Sequence, residues 1–86
     1  MSKKNLDQEI LLFVLSDEEQ GISATDFDSV LNKFSNHSRG YIYDRLMVLI
    51  KEKLLAYARR YFYLTKKGKE VAVKLKEEDN GTRKDS

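Results

Sequence analysis

The order of local signals between Ser38 and Leu75 restricts the fold more than any other feature of the chain. A helical pattern runs from Ser38 to about Lys53. Two short runs follow, Leu54 to Ala58 and Tyr61 to Leu64, which meet at Arg59-Arg60, and Leu64-Thr65-Lys66-Lys67-Gly68 then opens a last helix. Runs of that length, rich in apolar and aromatic residues, suit antiparallel strands. The dipeptide between them lacks the Gly or Asn that two-residue hairpins favour, so a short helical element is the competing assignment.

Upstream, Leu6 is followed one turn later by the unbroken apolar run Ile10 to Leu15, which predicts a first helix buried on more than one side. Asp17-Glu18-Glu19 and Gly21 end it. Ile22 supplies one residue of extended chain before Ser23 or Thr25 caps a second helix, with Asp26 in its first turn. The core stripe of that helix is Phe27, Val30, Leu31 and Phe34. After the polar break Ser35-Asn36-His37, Ser38 is the expected cap of the third helix. Its inward pattern is Ile42, Tyr43, Leu46, Leu49 and Ile50, and its other side holds Arg39, Tyr41, Asp44, Arg45 and Val48. Thr65 caps the fourth helix, whose narrow apolar stripe is Val71, Ala72 and Leu75. The polar composition from Asp79 onward predicts a disordered tail over 79–86, leaving residues 1–78 as one domain. The expected class is mainly α with a small β-hairpin, α+β.

A domain of 86 residues buries only about two-thirds of its unfolded surface, so a second subunit would add stability. The wide apolar coverage of Leu6 to Leu15 and the Val71/Leu75 stripe exceed what so small a core absorbs, which predicts a homodimer. Without cysteine there is neither a disulfide framework nor a thiolate metal site, and a single histidine makes metal ligation improbable. No apolar run approaches the roughly 18 residues needed to cross a bilayer, and the charges around Leu6 interrupt any signal-peptide core, so no membrane association and a cytoplasmic location are expected. There is no nucleophile-base set, no Gly-rich phosphate loop and no metal-ligand cluster, so neither an enzyme nor a cofactor is expected.

Charge is distributed unevenly. Residues 1–36 hold three Lys and seven acids, residues 37–69 nine Lys or Arg and two acids, and residues 70–86 four and five, so a net charge of +2 conceals a basic middle. A helix about 10 Å across fits the DNA major groove, and its N-terminal turn presents free N–H groups to phosphate. Ser38 and Arg39 stand at that end of the third helix. Tyr41, Arg45 and Val48 share one face, from which Arg45 would fork onto a guanine, Tyr41 would meet a phosphate or base edge, and Val48 a thymine methyl. Gly40 would let a backbone approach closely, and Arg59 and Arg60 at the hairpin tip would add phosphate contacts or lie along the minor groove. Each has a plainer rival. Tyr41 and Val48 could pack on a partner helix, Arg59-Arg60 could be a solvated turn, and Gly40 could simply be tolerated in a first turn. His37 reads as a surface residue, and Lys66, Lys67 and Lys69 as a solvated face of which one touches phosphate. The cluster Tyr57, Tyr61, Phe62 and Tyr63 leaves open the stacking of unpaired bases, although alternation should turn about half of it inward.

The run Tyr43-x-x-Leu46-x-x-Leu49-Ile50-Lys51-Glu52-Lys53-Leu54-Leu55 resembles the recognition helix and wing entry of winged helix-turn-helix regulators of the MarR and PadR type. Tyr63-Leu64-Thr65-Lys66-Lys67-Gly68-Lys69 resembles the strand-to-helix junction that follows in them. With the first two helices, the resemblance covers residues 6 to about 77. It implies a three-helix core with a short wing and a C-terminal helix, and a homodimeric transcriptional regulator that binds double-stranded DNA. These families commonly have Gly where this chain has Lys53, and a longer wing, so the hairpin here is expected to hold the backbone rather than read the minor groove. The size and the Tyr63-Leu64-Thr65-x-x-Gly68 junction are also similar to small winged-helix proteins encoded by archaeal viruses and plasmids. MarR-type proteins often bind small ligands at the dimer junction. This chain is too short for the helices that usually line that pocket, so no small-molecule ligand is expected. Two other functional classes remain: a protein-interaction module without DNA binding, and an RNA or single-strand binder.

Overall fold

The computed structural model describes residues 4–22 and 24–84. Its elements are α1 (Leu6–Glu19), β1 (Thr25–Asp26), α2 (Phe27–Lys33), α3 (Arg39–Lys51), β2 (Leu55–Ala58), β3 (Tyr61–Leu64) and α4 (Lys66–Lys84). The fold is α+β, with the strands in one antiparallel sheet of order β1-β3-β2.

Helix α1 starts at a reciprocal cap: Asn5 Oδ1 accepts the Gln8 N–H at 2.9 Å, and Gln8 Oε1 accepts the Asn5 N–H at 3.1 Å. It ends where Gly21 turns to φ +92°, which lets the Ile22 N–H reach the Asp17 carbonyl at 2.8 Å. Ile10, Leu11, Val14 and Leu15 are buried and Leu12 and Phe13 half-buried, the broad coverage expected of this run. The core is completed by Leu6 of α1, Val30 of α2 and Phe34 just after it, Ile42, Leu46 and Leu49 of α3, Leu55, Phe62 and Leu64 of the hairpin, and Ala72 of α4.

Strand β1 differs from the expectation of a second-helix cap at Ser23 or Thr25. Thr25 is buried in the strand, opposite Phe62, and its hydroxyl donates to Asp17 Oδ2 at 2.7 Å. The cap is Asp26, whose Oδ1 accepts the Ser29 N–H at 3.1 Å; Ser23 lies outside the described residues. Ser38 does cap α3, accepting the Tyr41 N–H at 3.2 Å.

At its other end α3 stops at Lys51, two residues before the expected boundary. Lys53 takes a left-handed conformation, φ +64°, while its N–H and that of Leu54 return to the Ile50 and Leu49 carbonyls, both at 2.9 Å. This is the closing motif that usually carries Gly, so the lysine accepts a local conformational cost. The hairpin strands match their predicted extents to within a residue. Arg59 and Arg60 form a two-residue turn with φ +53° and +71°, the sign pattern of a type I′ turn, without Gly or Asn at either position.

The junction into α4 ties hairpin to helix. Thr65 Oγ1 accepts the Gly68 N–H at 3.0 Å and donates to the Lys53 carbonyl, and the Thr65 N–H reaches the Leu54 carbonyl at 3.2 Å. The backbone of α4 stays helical through 79–84, where the composition predicts a tail. Asn80 and Gly81 each weaken a helix by no more than about 1 kcal/mol, and no proline is present to block propagation.

Candidate nucleic-acid interface

With Ile42, Leu46 and Leu49 facing the core, the opposite side of α3 carries Gly40, Asp44, Val48 and Lys51, at successive spacings of four, four and three. Gly40, Asp44 and Lys51 are exposed, and Val48 is half-buried outside the core cluster. Tyr41 flanks this stripe at 47% exposure, its ring 5.6 Å from that of His37. An added Cβ on Gly40 would meet nothing within 4 Å, so the backbone is open to approach there. Asp44 is expected on this side of the helix, whereas Lys51, one turn beyond Val48, extends it.

Arg45, expected to fork onto a guanine, is engaged within the chain. Its Nε and Nη2 donate to Asp7 Oδ1 and Oδ2 at 2.7 and 2.6 Å, a bidentate bridge from α3 to the first turn of α1. Hydrogen bonding to Asp7, then its charge, raises the guanidinium pKa further above its ordinary value. The bridge uses two of the five guanidinium N–H groups, so any base contact would fall to Nη1 and the second Nη2 hydrogen. Tyr43 is likewise moved from its expected place in the core: it is 51% exposed and meets Phe27 edge-on at 6.2 Å. Its position on α3 lies at the margin of the core, where α2 covers it only in part.

Arg39 remains exposed, with its guanidinium 5.6 Å from the centre of the Phe27 ring. Ser38 has its hydroxyl engaged in capping the same turn. Arg59 and Arg60 are exposed at the hairpin tip. These site residues therefore fall into two groups: Ser38, Arg39 and Tyr41 at the start of α3, and Arg59 with Arg60 at the tip, while Arg45 is drawn away toward α1.

The charges sort in the same way. Three acids of α1 pair with bases from the second half of the chain: Asp7 with Arg45, Glu18 with Lys69 at 2.9 Å, and Glu19 with Lys76 at 2.8 Å. Hydrogen bonding from Lys69 to Glu18 raises the Lys69 pKa. By contrast, Lys51, Lys53, Arg59, Arg60, Lys66 and Lys67 are exposed and have no ion pair among the described residues. They lie at the end of α3, on the hairpin turn and at the start of α4. No described helix is long and apolar enough to cross a membrane. No protein-family model and no curated protein sequence matches the chain.

Proposed function

We propose that this chain is a winged helix-turn-helix protein that binds double-stranded DNA sequence-specifically and regulates transcription as a homodimer. In this reading α3 enters the major groove and the β2-β3 hairpin lies against the phosphate backbone. The partition of charge carries it: three of the five acids of α1 are occupied by internal bases, while the cations from Lys51 to Lys67 are left facing solvent. Such a surface supplies the sequence-independent part of DNA affinity. The outward stripe of α3 supplies the specific part. Val48 offers a methyl surface to thymine, Asp44 an acceptor for a cytosine amino group, and Tyr41 and Lys51 donors to base edges or phosphate. Arg45, joined to Asp7, holds α3 at its angle to α1.

The homodimer is supported by Leu12 of α1 and Leu75 of α4, which are half-buried and belong to no part of the core cluster. A second copy would cover them. Selection of bound duplexes from a random pool is the direct test. Enrichment of a two-fold-symmetric site, with half-sites about one helical turn apart, is the expected result. Failure to bind any duplex at low salt would refute the reading. Lys51→Ala with Arg59→Ala should remove binding at unchanged helicity, and avoids breaking the Arg45 bridge.

A further inference from the structure

The tyrosines of the hairpin are divided between its two faces. Cross-strand pairing puts Leu55 opposite Leu64 and Tyr57 opposite Phe62 on one face, and Ala56 opposite Tyr63 and Ala58 opposite Tyr61 on the other. The first is the core face, where Leu55, Phe62 and Leu64 are buried and Tyr57 sits at the rim with its ring 4.9 Å from that of Phe62. The second faces solvent. Tyr61 and Tyr63 are 47% and 39% exposed there, and their cross-strand neighbours on β2 are two alanines, too small to cover the rings. Neither ring stacks on another aromatic side chain among the described residues.

Because β3 is the central strand, Tyr61 stands between Ala58 of β2 and Asp26 of β1, and Tyr63 follows it beside Ala56 of β2. Their Cα atoms are roughly 6.7 Å apart, two residues along a strand. Asp26 of β1 lies beside Tyr61 on the far edge, with its carboxylate engaged by Ser29. Exposed cations stand at both ends of β3: Arg59 and Arg60 before it, Lys66 and Lys67 after it. The core does not require aromatic rings on this side, since Phe62 and Leu64 already fill the inner face of β3.

We propose that this outer face binds single-stranded DNA, with one unpaired base stacked on each of Tyr61 and Tyr63 and the flanking phosphates held by Arg59, Arg60, Lys66 and Lys67. Aromatic faces set between cations are what an unpaired strand requires, because its bases expose their π-faces and its backbone keeps its charge. A duplex hides those faces inside its stack and cannot use the two rings in this way. Among the described residues this face presents chiefly ring surface, and stacking on a ring needs no ribose 2′-hydroxyl, so the proposal commits to DNA and leaves RNA as an outcome of the test. This surface is distinct from the outward stripe of α3, and the inference goes beyond the duplex reading without depending on it.

The test uses the whole chain and a labelled twelve-residue oligo-deoxythymidine, read by fluorescence anisotropy. Oligo-uridine and a random duplex serve as parallel arms. The chain has no tryptophan and five tyrosines, so quenching of tyrosine emission by the deoxy-oligomer is expected, and its loss on replacing Tyr61 and Tyr63 with leucine assigns it to those two rings. Tyr61→Leu with Tyr63→Leu should weaken oligo-deoxythymidine binding about thirty-fold or more while leaving duplex affinity unchanged. Tyr61→Phe with Tyr63→Phe should retain single-strand binding, since the ring faces remain. Equal binding by the leucine pair and the native chain would overturn the proposal, and tighter binding of oligo-uridine would overturn its assignment to DNA. Because the leucines could disturb the hairpin, a second measurement uses the unaltered protein. Photocrosslinking to an oligomer carrying 5-iododeoxyuridine should give adducts on Tyr61 or Tyr63, and adducts confined to Tyr41 or Tyr43 would overturn it. Single-strand binding without duplex binding would support this face and remove only the duplex reading.

Discussion

Gly68 approaches Leu54 so closely that a Cβ on the glycine would stand 1.8 Å from the Leu54 carbonyl oxygen and 2.8 Å from its carbonyl carbon. The same oxygen accepts the Thr65 N–H, so a single carbonyl marks where α4 is fastened to the entry of the hairpin. Backbone facing backbone cannot yield as the end of a flexible side chain does. Gly68→Ala should therefore displace α4 or the hairpin and cost about 3 kcal/mol or more, read by urea unfolding. Gly40→Ala is the matched control, since an added Cβ there meets open space. It should stabilise α3 by about 0.5 kcal/mol. Equally small effects from both would show that the junction is pliable.

At the hairpin tip, Arg59 and Arg60 both hold positive φ, a conformation that side chains other than Gly, Asn and Asp adopt reluctantly. Arg59→Asn with Arg60→Gly should raise stability by about 1 kcal/mol, because these residues suit the turn better. On the proposed function the same change should weaken duplex binding and make it less salt-dependent, by about two phosphate contacts per subunit. Stability and affinity moving in opposite directions is the expected signature. Unchanged duplex affinity would leave the two arginines as a solvated turn.

How much of this was legible in the chain depended on how local each determinant is. The Ser38 cap, the hairpin limits and the Thr65 to Gly68 junction rest on residues within a few positions of one another, and their side-chain chemistry announces them. Strand β1 does not: two residues become a strand only because β3, more than thirty positions later, presents matching backbone groups. The Asp7–Arg45 bridge spans 38 residues and no spacing rule points to it. Tyr43 illustrates a third limit. A helical pattern identifies the centre of the buried face, but the width of that face depends on how far α2 and the hairpin reach over it.

The Asp7–Arg45 bridge separates a structural from a base-reading role for Arg45. If Arg45 sets the angle between α1 and α3, then Asp7→Ala and Arg45→Ala should each lower the unfolding midpoint, and the double variant should be destabilised by less than the sum of the two. Their effects on duplex affinity should be similar. A guanine contact by Arg45 predicts instead that Arg45→Ala abolishes selectivity at one base pair, while Asp7→Ala, by releasing the fork, tightens binding. Unfolding curves and anisotropy titrations on the same three variants distinguish these outcomes.

Acid stability should carry the signature of the α2 cap. Hydrogen bonds from Ser29 to the Asp26 carboxylate hold its pKa below the ordinary value of 3.8. The folded state thus binds this proton less readily than the unfolded chain. The stabilisation is fully present above the unfolded pKa and is lost as pH falls through the folded value, below about pH 4. Asparagine caps about as well and does not titrate. Asp26→Asn should therefore match the native chain near neutrality and show a shallower loss of stability in acid. Identical acid limbs in thermal melts would mean that Asp26 contributes no pH dependence. Lys69 acts with the opposite sign: Glu18 raises its pKa, so its contribution is present below the unfolded value of 10.5 and fades as pH rises through the folded one.

The salt dependence of duplex binding tests the charge partition and the assembly together. Among the described residues, Lys51, Lys53, Arg59, Arg60, Lys66 and Lys67 are exposed without internal ion pairs, enough for about four phosphate contacts per subunit once geometry excludes some. Each neutralised phosphate contributes about −0.9 to the slope of log affinity against log salt, so a dimer should give roughly −7 and a monomer about half that. Lys69→Ala should scarcely change the slope, because Glu18 already holds that charge, whereas Lys51→Ala should reduce its magnitude by about two in a dimer. If Lys69→Ala and Lys51→Ala alter the slope equally, the internal pairs do not withhold their cations from DNA, and the acids of α1 have no part in shaping the binding surface.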